Sequence, residues 1–192
     1  MSVADIFKSM ASHMVEGMMV HEQLMNSYMF LGLQGYAACH TYHYVSESCG
    51  YIRLCRYASD HLDILIPSDR PENPAILPES WKRGKKTDVT PTMRREALEA
   101  AIREWIKWET GTVEFYSNFY KELLDSGQIP VAEFVKKYAV DAEEEIVYAK
   151  NDLIHKSAMN FDIISILEEQ SELEKHFRKK IKKIGEETYE NE

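Results

Sequence analysis

Glu109 stands in the middle of an apolar stripe made by Leu98, Ile102, Trp105, Thr112, Tyr116, Phe119 and Leu123, recurring every three or four residues. Charged side chains seldom occupy such a stripe without a partner. The same pattern recurs elsewhere. His21 and Glu22 fall between Met18 and Met25, and His61 shares a stripe with Tyr51, Leu54, Ala58 and Leu65. Asp141, with Glu144 or Glu145 one turn later, shares one with Phe134, Tyr138 and Ala149. Carboxylate oxygens combined with imidazole nitrogens suit a hard or borderline divalent metal, with iron or manganese the usual occupants and zinc a further choice. Any one of these groups could instead pair with a tyrosine, arginine or lysine inside a helical core, with no metal at all.

Five helical segments must position these residues. The spacing predicts a first helix over about residues 3 to 39, opened by Ser2 with Asp5 three residues on, a capping pattern. A short break is expected over 40–48, then a second helix to about Ile66, stopped by Pro67. Residues 67–91 hold five of the six prolines and read as an irregular crossover. A third helix follows to near Gly127, and a fourth begins at Pro130 and reaches about Ala158. The fifth covers about 162–183. Short links make hairpins of helices one and two and of helices three and four. The crossover can span a helix length of about 36 Å, leaving helices two and three parallel. The expectation is a single all-α domain over 1–192, with a core bundle at about 3–158 and one long crossover. Turns near residues 41 and 128 would set Glu22 level with His61, and Glu109 level with Glu144, Glu145 and Tyr148. Glu22, Glu109 and Glu144 would then come within metal-bridging reach, with His61 beside them.

At this point the chain resembles the ferritin-like superfamily of ferritins, bacterioferritins and rubrerythrins, over about residues 10 to 158. Glu22, in His-Glu-Gln-Leu-Met-Asn-Ser-Tyr, resembles the family's first-helix glutamate. Glu109, in Lys-Trp-Glu-Thr, resembles its third-helix glutamate, and Tyr138 to Glu145 its fourth-helix acidic segment, with Asp141 and Glu144 at the paired positions. The resemblance implies a metal site of Glu22, His61, Glu109 and Glu144, with Asp141 bridging or secondary. It also implies iron and oxygen chemistry or iron storage, and ferroxidase-like oxidoreductase activity if the site works. The chain departs from the family where its second helix carries Glu-x-x-His. The matching string here is Ala58-Ser59-Asp60-His61, so alanine replaces the bridging glutamate, and no histidine follows Asp141 at the family spacing. The alternative is therefore a bundle that kept the fold without the chemistry and serves as an interaction or scaffolding protein.

Other features narrow the partners. The net charge of −9 argues against nucleic acid, which needs a positive face. No apolar run reaches membrane-spanning length, and Met1 to Met10 lacks a signal pattern, so the expectation is cytoplasmic. The basic runs Lys82–Lys86 and Arg178–Lys183 read as solvated surface. Three cysteines, Cys39, Cys49 and Cys55, without Cys-x-x-Cys read as reduced thiols. His40 and His43 could share a helical face as a metal pair or simply pack there. Gly111 could allow close helix approach or be merely tolerated. Apolar Ile163, Ile166, Leu167, Phe177 and Ile181 on helix five exceed what four helices need, which points to packing across the bundle end or to a homo-oligomer, at least a dimer.

Overall fold

A computed structural model describes residues 1–66 and 89–189. Residues 67–88, which hold most of the expected crossover and the basic run at 82–86, lie outside the described residues. The described chain is helical: α1 (Val3–Leu31), α2 (Gln34–Leu62), α3 (Pro91–Asp125), α4 (Ile129–Ala158) and α5 (Ile163–Tyr189). These group into two compact units. One holds Met1–Pro91 together with Ile163–Glu192, and the other is Thr92–Asp162.

In the first unit, α1 opens on the expected capping box. Ser2 Oγ accepts from the Asp5 amide, and the Ser2 amide donates to Asp5 Oδ2, both at 3.2 Å. The first turn of the chain is a correction to the sequence reading, which ran helix one on to Cys39. Gly32 adopts φ 75° and ends α1 at Leu31. Its amide donates to the Met29 carbonyl at 3.2 Å, and the Leu33 amide to that of Tyr28 at 2.9 Å. Glycine, without a Cβ, takes this left-handed turn most readily, and two residues suffice to reverse the chain. The expected break at 40–48 is uninterrupted helix.

The start of α2 depends on α5. Leu33 offers no side-chain cap. Gln170 Oε1 instead accepts from the amides of Gly35 (3.0 Å) and Tyr36 (3.3 Å), while Gln170 Nε2 donates to the Ile166 carbonyl at 2.8 Å. Helix N-termini leave amides unsatisfied, and here a buried glutamine from the far end of the chain supplies the acceptor. Gly35 is what allows the approach. A Cβ there would stand 2.7 Å from the Gln170 carbonyl oxygen and from Leu173 Cβ. Further along, Tyr42 and Phe177 rings meet at 5.8 Å, and Lys180 Nζ lies 5.1 Å from the Tyr42 ring. The apolar excess of α5 is thus spent partly inside this unit.

In the second unit, α3 and α4 form an antiparallel hairpin. Gly127 takes φ 76° at the turn, and Pro130 sits in the first turn of α4, both as expected. Tyr116 stacks on Tyr138 at 5.4 Å, Trp105 meets Tyr148 at 5.9 Å, and Tyr120 Oη donates to Glu133 at 3.4 Å. Each pair is equidistant from the turn, so the register is uniform along the hairpin. Gly111 is exposed, with nothing within 4 Å of where a Cβ would be, so it allows no close approach.

Candidate metal centre

The shifted α1–α2 turn changes which residues share a level. Reversal at Gly32 and Leu33 brings the middle of α1 opposite His40 and His43, not opposite His61. His61 lies in the last turn of α2, exposed, with its ring 4.8 Å from Tyr57, which in turn stacks on Phe7 at 6.0 Å near the start of α1. Glu22 is exposed, whereas its neighbour His21 is fully buried. The hairpin therefore does not bring Glu22 and His61 together.

It brings together three histidines instead. His21, His40 and His43 are all buried. Nδ1 of His21 lies 3.0 Å from Nδ1 of His40. The ring centroids of His21 stand 5.3 Å from His40 and 5.2 Å from His43, and those of His40 and His43 stand 5.9 Å apart. Tyr28 stacks on His40 at 5.3 Å, Tyr42 meets His43 edge-on at 5.1 Å, and Phe177 of α5 closes the far side at 6.5 Å from His43. Burial, then the neighbouring His21 and His43, hold His40 well below the usual imidazole range, so it is neutral at pH 7. The His40-Thr41-Tyr42-His43 spacing was visible in the sequence. What hid its place was the unread stop at Gly32.

On α3 and α4, Glu109 is buried, only 2% exposed, as its stripe requires. A carboxylate oxygen of Glu109 and one of half-buried Glu145 lie within 4.8 Å of each other. Asp141 and Glu144 are exposed. The inward side of α4 runs through Val135, Ala139, Ala142 and Ala149, all buried, and Glu145 belongs to that side. Glu144 is turned about 100° from Glu145 on the helix. Two carboxylates this close, one of them buried, need a proton or a cation to offset their repulsion. Oxygen donors in such a pair fit a hard or borderline divalent ion.

The cysteines all lie on α2 as free thiols. Burial raises the Cys55 thiol above its ordinary value, which leaves it a poor nucleophile.

No family profile matches the chain, and no curated protein matches it. Among solved structures it is similar to one described as "Humanized Archaeal ferritin", with a TM-score of 0.73 at 13% identity, covering 89% of this chain and 94% of that one. The chain has the ferritin-like fold: an all-α, four-helix bundle type with one long connection between the second and third helices, here extended by a fifth, C-terminal helix. No helix among the described residues is long and apolar enough to cross a membrane.

Proposed function

We propose that this protein binds a divalent metal, iron in the first instance, as a ferritin-like metal protein acting in iron and oxygen chemistry or iron storage in the cytoplasm. The observation that carries the reading is the Glu109–Glu145 pair, a buried carboxylate facing a second one at mid-hairpin. The ferritin-like fold supports it, since bundles of this kind build metal sites from side chains projecting inward at mid-helix. Bound iron would supply one-electron exchange with oxygen or peroxide. The chain's own part is to hold the ion and balance its charge. Of the five residues singled out from sequence, Glu109 would be a direct ligand, with Glu145 taking the place expected of Glu144. The exposed Asp141 and Glu144 would raise the local cation concentration on the outer side of α4.

A melting series on the metal-free protein tests this, with ferrous iron under nitrogen, manganese and zinc, on wild type and Glu109→Ala. A ligand at about 100 times its Kd stabilises the folded state by about 2.7 kcal/mol, or roughly 5–10 °C in Tm for a chain of this size. Wild type should show such a rise with iron, and Glu109→Ala should lose it. The metal-free variant should be as stable as wild type or more so, because a buried charge is gone. No rise in wild type, or an equal rise in the variant, would refute the iron reading.

A second reading has its own observation. Val140, Val147 and Ile154 are exposed at seven-residue spacing on α4, beside exposed Tyr148. We take this stripe as a contact for a second copy of the chain, which serves both the metal reading and that of a non-catalytic interaction bundle. Light scattering at micromolar concentration should give at least a dimeric mass, reduced by Val147→Glu. A monomeric wild type would remove this surface from the account.

A further inference from the structure

We propose that the exposed stripe of α4 packs against the same stripe of a second copy of the chain in antiparallel orientation, centred on Val147, with Glu143 of each copy facing Lys150 of the other. The proposal rests on the second reading above, that this stripe meets a second copy. It adds the orientation, the register and the charge pair, and it does not depend on a bound metal.

The stripe lies on the side of α4 turned away from its buried alanines. At 100° per residue, Val147 stands about 160° round the helix from Ala149. Val140, Val147 and Ile154 are 43%, 58% and 66% exposed, although valine and isoleucine are usually buried. Their seven-residue spacing drifts by about 20° per step on a straight helix, which suits a partner helix crossing at about 20°. Charged and polar residues flank the stripe. Glu143 and Lys150 lie about 40–60° to one side of Val147, and Glu144 and Asn151 about 40–60° to the other. All four are exposed. No basic residue stands three or four positions from Glu143 or Glu144, and no acidic residue stands so from Lys150. The helix therefore offers these charges none of the pairs seen at Arg103–Glu99 or Arg178–Glu174.

Those flanks decide the orientation, because residues beside an apolar seam set which way a partner helix runs. In a parallel pair in register, one flank faces the opposite flank of the partner. Glu143 would then meet Glu144 of the other copy, twice by symmetry, and like charges repel. In an antiparallel pair each flank faces its own copy. A two-fold axis at Val147 sets Val140 opposite Ile154, a branched apolar pair at each end of the seam. It sets Glu143 within one residue, about 1.5 Å along the axis, of the level of Lys150 on the other copy. Glu144 stands as close to the level of the other copy's Asn151, whose side-chain amide can donate to a carboxylate. Both contacts occur twice. The chain thus carries apolar and charge complementarity to itself in one orientation and a clash in the other.

The test uses the full chain, with self-association measured by sedimentation equilibrium. Glu143→Lys and Lys150→Glu each set like charges face to face at two places, and each should weaken the dimer about tenfold. The double exchange, Glu143→Lys with Lys150→Glu, should restore wild-type affinity. All three positions of the comparison are on an exposed face, so helical circular dichroism should not change. Cysteine cross-linking with diamide gives the orientation directly, with wild type as the control for the native thiols. Val140→Cys mixed with Ile154→Cys should form linked dimers, and Val140→Cys alone should not. Linked dimers from Val140→Cys alone would overturn the antiparallel arrangement. So would a double exchange no tighter than the single ones. In either case a dimer still broken by Val147→Glu would leave the second-copy reading standing. A monomeric wild type, or a dimer indifferent to Val147→Glu, would remove both.

Discussion

Acidification from about pH 6.5 to about pH 4 should weaken the folded chain by roughly 3 kcal/mol through His13 alone, at about 1.4 kcal/mol per pKa unit. Burial lowers this imidazole from 6.5 to about 4. The Glu16 carboxylate 4.0 Å away would favour the charged ring, but it is half in solvent and does not offset the burial. The unfolded chain therefore binds a proton at His13 that the folded chain refuses until pH 4. Stability from this source is complete above pH 6.5 and is lost as the pH falls towards 4. His40 is shifted in the same direction and adds to the loss. Denaturant unfolding at pH 7, 5.5 and 4.5 on wild type and His13→Gln measures it. The variant should lose less stability over that range, since glutamine does not titrate. Parallel pH dependences would show that His13 does not control acid unfolding.

Adding one methyl group at Gly35 should cost about 1–3 kcal/mol, the range for overpacking a tight contact. Gly35→Ala places a Cβ 2.7 Å from a backbone oxygen, which cannot swing aside as a flexible side chain could. The opposite result is expected at Gly111. It is helical, exposed and open, so Gly111→Ala should gain about 0.5–1 kcal/mol from helix propensity. Gln170→Ala should lose about 1–2 kcal/mol by leaving the α2 amides without their acceptor. Gln170→Glu should recover part of it, because a carboxylate still accepts and favours a helix N-terminus. Equal effects of alanine at positions 35 and 111 would refute the close α2–α5 contact.

Most of the helices were legible because their signals are local. Pro130 and Gly127 mark the α3–α4 turn, and Ser2 with Asp5 marks the start of α1. The α1–α2 turn was missed because Gly32 sits in an apolar run, Phe30-Leu31-Gly32-Leu33, with no proline beside it and only Gln34-Gly35 following. A two-residue turn needs only one left-handed residue, so little in the sequence announces it. That one error carried into the site. It moved the level of α1's centre from His43 to His61, and made Glu22 look inward instead of His21. On α3 and α4, where the turn was read correctly, Glu109 and the level of its partner were found. The choice between Glu144 and Glu145 depended on a rotation of 100° that the alanines at 142 and 149 record and the acidic run obscures. The α5 contribution through Gln170 has no sequence signal, because a cap supplied from 135 positions away leaves no local pattern.

That distant cap also orders events during synthesis. Translation proceeds at about 5–20 residues per second, and domains fold as their segments emerge. α1 and α2 leave the ribosome early, yet the acceptor for α2's first amides is not translated until residue 170. The whole α3–α4 hairpin, Thr92–Asp162, is made in between. For several seconds, then, the nascent chain holds an α2 whose first turn frays and whose α5-facing side is bare. A ribosome stalled before residue 170 would display that surface to chaperones, and the released chain of 192 residues, with α5 docked, would not.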